Sequence, residues 1–166
     1  MKNILYLFLA LASFQISAQT TAQEYLISAV SRFYLNDRDG AIVDFTKAID
    51  IDPSYIEAYR KRGIAKEALK DFSGAIVDYT KAIEIDPNYA FALHDRGITK
   101  DKLKDFSGAI VDYSRAIKID SNYATAYFNR GVSKFYLGDM IGACKDARKA
   151  QELGDDASIL IKKACN

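Results

Sequence analysis

One histidine, His94, two cysteines, Cys144 and Cys165, and no tryptophan are a sparse chemical inventory for 166 residues. Nucleophilic catalysis needs a base held beside the nucleophile, and neither cysteine has a histidine near it in the sequence. No His and Cys cluster has metal-ligand spacing, and the glycines recur singly instead of gathering into a phosphate-cradling loop. His94 admits two readings, a ligand contact or a solvated surface side chain, and the second is the expected one. Charged residues do recur. Asp44, Asp78, Asp112 and Asp146 share one place of a 34-residue period, and Arg62, Arg96 and Arg130 share another. Read as chemistry, this is an acid/base or ligand-recognition row; read as architecture, it is a ladder of ion pairs within or between successive segments. The ladder is expected, and with it no enzyme, cofactor or metal.

The elements that position these residues follow from the period. The eleven residues LKDFSGAIVDY occur at Leu69 to Tyr79 and again, unchanged, at Leu103 to Tyr113, 34 residues on. A period of that length signals stacked helix-turn-helix units instead of a single globular core. Repeats of 22–55, 56–89, 90–123 and 124–157 align Tyr25, Tyr59, Leu93 and Tyr127; Ala29, Gly63, Gly97 and Gly131; Ala41, Ala75, Ala109 and Ala143; and Ala48, Ala82, Ala116 and Ala150. Small residues at three places let antiparallel helices approach, and a large side chain at the remaining place fills the gap. Gly74 and Gly108 are expected to serve close packing in the same way.

Within a repeat, Tyr59, Ile64 and Leu69 mark the apolar side of a first helix. Ala75, Ile76, Tyr79, Ala82 and Ile83 carry the i, i+4, i+7 pattern of a second. Asp37, Asp71, Asp105 and Asp139 stand just before the second helices, where a carboxylate can accept from free N–H groups and oppose the positive helix end. Pro53 and Pro87 close repeats one and two, because the residue before proline disfavours helix. Ser121 and Gly154-Asp155 replace that signal in repeats three and four, so looser or differently capped turns are expected there.

These landmarks resemble the tetratricopeptide repeat: the aromatic, the Gly, the two Ala places, Tyr79 and Tyr113, and the Pro. The match is specific in repeats two and three, good in four and weaker in one, where Ala29 replaces the Gly and Arg38 stands in place of Phe72 and Phe106. A departure at one end suits a terminal repeat. The resemblance implies an all-α, right-handed α-solenoid, closed by a short capping helix in 158–166 in which Ile159, Leu160, Ile161 and Ala164 cover repeat four. In an antiparallel hairpin turning near Gly154, Cys144 and Cys165 come together. A bridge closing about twenty residues contributes roughly 3 kcal/mol on the chain-entropy model. Two small reduced hydrophobes are the alternative.

The resemblance also implies a peptide-binding concave face lined by the first helices, and a protein or peptide partner. Its lining places hold Leu26, Val30, Phe33 and Tyr34 in repeat one; Glu57, Arg60, Lys61, Ile64 and Glu67 in two; Phe91, His94, Asp95, Ile98, Asp101 and Lys102 in three; and Phe128, Asn129, Val132, Phe135 and Tyr136 in four. The aromatics are open to two roles, binding hot spots or closure of the stack's ends. Relatives that clamp a C-terminal carboxylate want Asn where Val30, Ile64, Ile98 and Val132 stand, so that activity is not expected.

The N-terminus reads as an export signal, residues 1–18: Lys2, then apolar Ile4 to Ala12, then small Ser17-Ala18. The apolar run is shorter than the roughly 20 residues of a membrane-spanning helix. Export to the periplasm or cell envelope is expected, with full secretion as the alternative, and it would permit a disulfide. The 23 basic and 22 acidic side chains are interspersed, which argues against a nucleic-acid stripe. The reading is therefore an envelope adaptor that binds without chemistry. A self-assembling structural protein, stacked through its apolar end repeats, is the rival.

Overall fold

A computed structural model of the chain describes residues 21–165. The signal-peptide expectation at residues 1–18 lies outside them. The described residues are all-α, with helices joined by short turns. Helix α1 covers residues 21–34, followed by α2 (Arg38–Ile51), α3 (Ile56–Ala68), α4 (Phe72–Ile85), α5 (Ala90–Lys102), α6 (Phe106–Ile119), α7 (Ala124–Tyr136), α8 (Met140–Glu152) and α9 (Ser158–Ala164). The chain divides into two compact units, Met1–Asp71 and Phe72–Asn166. The first holds α1 to α3 and the second α4 to α9.

Each turn inside a repeat is built from a few residues. Asn36, Lys104 and Gly138 take the left-handed conformation, with φ of 69°, 62° and 83°, and the chain then enters the next helix through an aspartate cap. Asp37, Asp105 and Asp139 accept from the backbone N–H of Gly40, Gly108 and Gly142, each at 2.9 Å. A Cβ on any of these three glycines would lie 2.1 Å from the capping carboxylate. Gly108 therefore makes room for the cap, a correction to the close-packing role expected of it.

Between repeats the chain turns through an aspartate again. Asp52, Asp86 and Asp120 accept through Oδ1 from the N–H two residues on, at 2.9 Å in all three. The Ser121 turn is thus made like the two proline turns and is not looser, because the carboxylate supplies the restraint that proline was expected to supply. The end of α8 does differ. Gly154 adopts φ of 95° and Asp155 donates its N–H back to Ala150 O at 2.9 Å, the double-turn cap that a left-handed glycine permits.

The charged rows resolve into a buried ladder. In the C-terminal unit Asp112 is 1% exposed, and Arg96 grips both its oxygens at 2.9 and 2.6 Å while Lys100 adds a third contact at 2.7 Å. Arg130 and Lys134 treat Asp146 the same way, at 2.8, 2.7 and 2.8 Å. Each guanidinium spends its remaining nitrogen on the preceding second helix: Arg96 reaches Thr80 at 3.0 Å and Arg130 reaches Ser114 at 3.1 Å. One side chain therefore joins three helices. In the N-terminal unit Arg62 donates to Thr46 at 3.0 Å. There Asp44 is served by Ser28 at 2.8 Å, Arg32 at 2.9 Å and Lys47 at 3.1 Å.

Apolar packing fills the spaces between. Tyr113 is fully buried, and a Cβ on Gly97 would approach its ring to 2.6 Å, so that glycine is required by contact. In the N-terminal unit Leu26, Ala29, Phe45 and Ile49 form the core with Tyr55 and Tyr59 packed against it. Leu26 therefore belongs to the interior and not to a lining surface, as its place in the repeat had implied. At the other end Leu160 and Ala164 of α9 are buried against Ala143, Ala147 and Ala150. Ile159 points outward at 72% exposure, so α9 covers repeat four with one stripe and not with all its apolar residues. The sulfur atoms of Cys144 and Cys165 stand 2.11 Å apart, with their Cα atoms at 5.0 Å.

The ladder predicts an asymmetry between single and paired changes. Arg130→Met leaves Asp146 buried with Lys134 as its remaining cation and is expected to cost about 2–4 kcal/mol, measured by urea denaturation. Arg130→Met with Asp146→Leu is expected to recover at least half of that loss, since no buried carboxylate is left short of partners.

Candidate partner-binding surface

In the C-terminal unit the first helices α5 and α7 lie against each other, and a row of polar contacts runs along their contact. His94 is 8% exposed. Asn129 Nδ2 lies 3.1 Å from its Nε2, and Asp95 Oδ1 lies 3.6 Å from its Nδ1. The ring also sits 4.8 Å from that of Tyr123 and 5.7 Å from that of Tyr113. The expected solvated histidine is corrected here: His94 fills an interior position because Tyr113 and Tyr123 enclose it and Asn129 partners its Nε2.

Two helical turns further along, Asp101 accepts from Tyr113 Oη at 2.8 Å and from Ser133 Oγ at 2.8 and 3.0 Å. Burial pushes its carboxyl above the ordinary aspartate range, against the lowering effect of these two hydroxyls. Two pairs, His94 with Asn129 and Asp101 with Ser133, thus hold α5 to α7, the polar atoms of each pair turned toward one another.

The other residues assigned from the repeat pattern are distributed differently. Phe91 is 52% exposed, with its ring edge-on to Tyr89 at 6.1 Å and to Tyr123 at 5.8 Å. Asp95 and Ile98 are half-buried. Phe128 and Phe135 pack against the cluster beneath α9, so these two aromatics close the end of the unit. Tyr136, 64% exposed, stacks on Phe106 at 4.9 Å with the planes 10° apart. That stack, with Asp101, Lys102, Lys104 and Val132, walls a cleft of about 390 Å³.

In the N-terminal unit Lys61 and Ile64 line a smaller cavity of about 110 Å³ with Val30, Phe33, Tyr34 and Phe45. Lys61 Nζ lies 3.4 Å from Glu57, and Arg60 and Glu67 are half-buried on the same helix. The contrast with the other unit has a chemical origin. Phe45 occupies the place of Tyr113 and Phe33 that of Asp101, so the hydroxyl–carboxylate bridge has no counterpart and an apolar hollow stands in its place.

Repeat reasoning passed over three participants. Tyr123 sits in a turn, where the first-helix pattern does not look. Phe106 entered only as a landmark of the repeat. Ser133 had a legible signal: its place holds Ala65 in repeat two but hydroxyls in Thr99 and Ser133.

The geometry can be set beside known proteins. The tetratricopeptide-repeat family profile matches residues 56–89, and a second TPR-repeat profile matches residues 102–138. The chain carries tetratricopeptide repeats. No curated protein matches the sequence. Among solved structures, the crystal structure of MamA protein is similar with a TM-score of 0.80 at 24% identity, covering 87% of this chain and 80% of that one. MamA 41-end from Desulfovibrio magneticus RS-1 gives 0.75 at 19%, covering 81% and 76%. The first TPR of Spaghetti (RPAP3), bound to HSP90 peptide SRMEEVD, gives 0.70 at 25%, covering 72% and 95%. Tetratricopeptide proteins are interaction modules, and the all-α hairpins described above have that build.

The raised Asp101 carboxyl predicts a pH signature. A carboxyl whose folded pKa lies above its unfolded value favours the folded state fully only when protonated, and that contribution is lost as pH rises through the folded value. Asp101→Asn can still accept from Tyr113 and Ser133 but does not titrate. The melting temperature of the wild type relative to this variant is therefore expected to fall as pH rises from about 4 to 7.

Proposed function

We propose that the chain is a non-enzymatic adaptor of the bacterial cell envelope that holds a partner's extended segment or helix against its first helices. The observation that carries this reading is a division of labour among residues. The recurring aspartates, arginines and small residues are consumed by the fold, as caps, ladder members and packing contacts. Among the lining places that vary between repeats, Phe91 and Tyr136 carry large aromatic side chains to solvent, at 52% and 64% exposure. Exposed aromatics give large contact area at low entropic cost. The likeness to the peptide-bound RPAP3 domain supports the class of ligand. Val30, Ile64, Ile98 and Val132 favour apolar and aromatic contacts over a carboxylate clamp.

Export is part of the proposal, supported by Lys2, the apolar run Ile4 to Ala12 and Ser17-Ala18. A disulfide between Cys144 and Cys165 belongs with it, supported by the approach of their sulfur atoms and by an oxidising compartment.

The self-assembling alternative gains less support. The contact that joins successive repeats is Arg to hydroxyl, as in Arg62 to Thr46 and Arg130 to Ser114. At the chain's ends the corresponding residues are Ser28 and Arg148, and Ser28 is engaged by Asp44.

Capture from an envelope extract tests the reading. Phe91→Ala with Tyr136→Ala is expected to lower retention of the specific partner at least tenfold with unchanged circular dichroism. Unchanged retention would sink the surface assignment, and a concentration-dependent mass in sedimentation would favour self-assembly instead.

A further inference from the structure

We infer that α9 is a strap held shut by the Cys144–Cys165 bond, and that reducing this bond releases it and bares the apolar end of the last hairpin. The inference rests on the disulfide of the proposal above and goes beyond it to a redox-dependent change of surface.

By itself α9 is a short element. It has seven residues, and its N-cap, Ala157, makes no side-chain cap bond. A helix needs about 12–15 residues to persist by itself. Asp156 accepts from Ser158 N–H at 3.1 Å and restrains only the first turn. Leu160 and Ala164 are buried on the hairpin and Ile161 packs at the edge of the same cluster, while Ile159, Lys162 and Lys163 face solvent.

What α9 covers is specific. Beneath it lie Ala143, Ala147 and Ala150 of α8, with Phe128 and Phe135 of α7 packed against the same cluster. A Cβ placed on Gly131 would meet Leu160 at 3.1 Å, so the strap lies directly on the α7 backbone. The two cysteines are 21 residues apart and close the loop that contains α9, tying its far end to the start of α8. Its near end is continuous with α8 through Gly154. Cutting the sulfur bond removes the covalent tie at that end and leaves it to non-covalent contacts such as those of Ala164 and Ile161.

The chemistry balances as thiol–disulfide exchange. A dithiol reductant attacks one sulfur, the Cys144–Cys165 bond breaks, and a mixed disulfide forms. The second thiol of the reductant then displaces the protein sulfur. Both cysteines end as thiols and the reductant as a disulfide, two electrons and two protons having passed to the protein.

Trypsin reports the opening, because Lys162 and Lys163 lie on α9 itself. Cleavage there in the native protein is expected to quicken ten- to a hundredfold on adding dithiothreitol, the range set by losing a loop of this length. Cys165→Ser should cleave at the fast rate with or without reductant, while far-ultraviolet circular dichroism of both forms stays within a few per cent of wild type. Equal cleavage of oxidised and reduced protein overturns the strap. Two free thiols before reduction overturn the disulfide on which it rests, and global loss of helicity on reduction overturns the claim that release is local.

Discussion

A buried carboxylate in each second helix is the constraint around which the rest is arranged. Asp112 and Asp146 are almost wholly removed from water, where an unpaired charge is intolerable, so a bidentate arginine and a lysine must be supplied from the neighbouring first helix. Supplying them fixes the rotation of that helix and its height along the partner. The same guanidinium also reaches a hydroxyl of the preceding second helix, which extends the register from one hairpin to the next. Apolar burial provides most of the driving force, but alanine and glycine surfaces are smooth and permit sliding. The ion pairs select one arrangement among those that the small residues would accept.

Much of this was legible because it recurs. A 34-residue period with small residues at three places fixes hairpins, and Asp37, Asp105 and Asp139 could be assigned as caps by their position alone. The arginine and aspartate rows could be read as a ladder. What the period could not supply was the meaning of single departures. The turn at Ser121 lacks proline yet keeps the geometry, since the aspartate before it carries the restraint. His94 stands at a lining place, but its burial depends on two tyrosines from other elements. Leu26 shares its place with Arg60 and is nevertheless core, because a terminal repeat has a different neighbour. Each of these depends on contacts between segments that no single-repeat pattern encodes.

The two units use one place in contrasting ways. Where the C-terminal unit bridges helices with Asp101, Tyr113 and Ser133, the N-terminal unit has Phe33 and Phe45 and an apolar hollow. Polar bridges favour a fixed spacing of the helices, while an apolar hollow is a place where an inserted side chain would gain contact. Repeats that share a backbone plan therefore differ in how readily their surfaces can receive another chain. Proposed partner recognition draws on that difference, and it explains why the identical LKDFSGAIVDY segments say little about function.

The mismatched ends bear on how such a chain can lengthen. An interior repeat carries both halves of the joining contact, an arginine for the repeat before it and a hydroxyl for the one after. A copy of it inserted beside itself would find both counterparts in register, whereas a copy added beyond Ser28 or Arg148 would find neither. Growth from within is the compatible route, and two adjacent interior repeats sharing eleven unchanged residues are what such a duplication leaves behind.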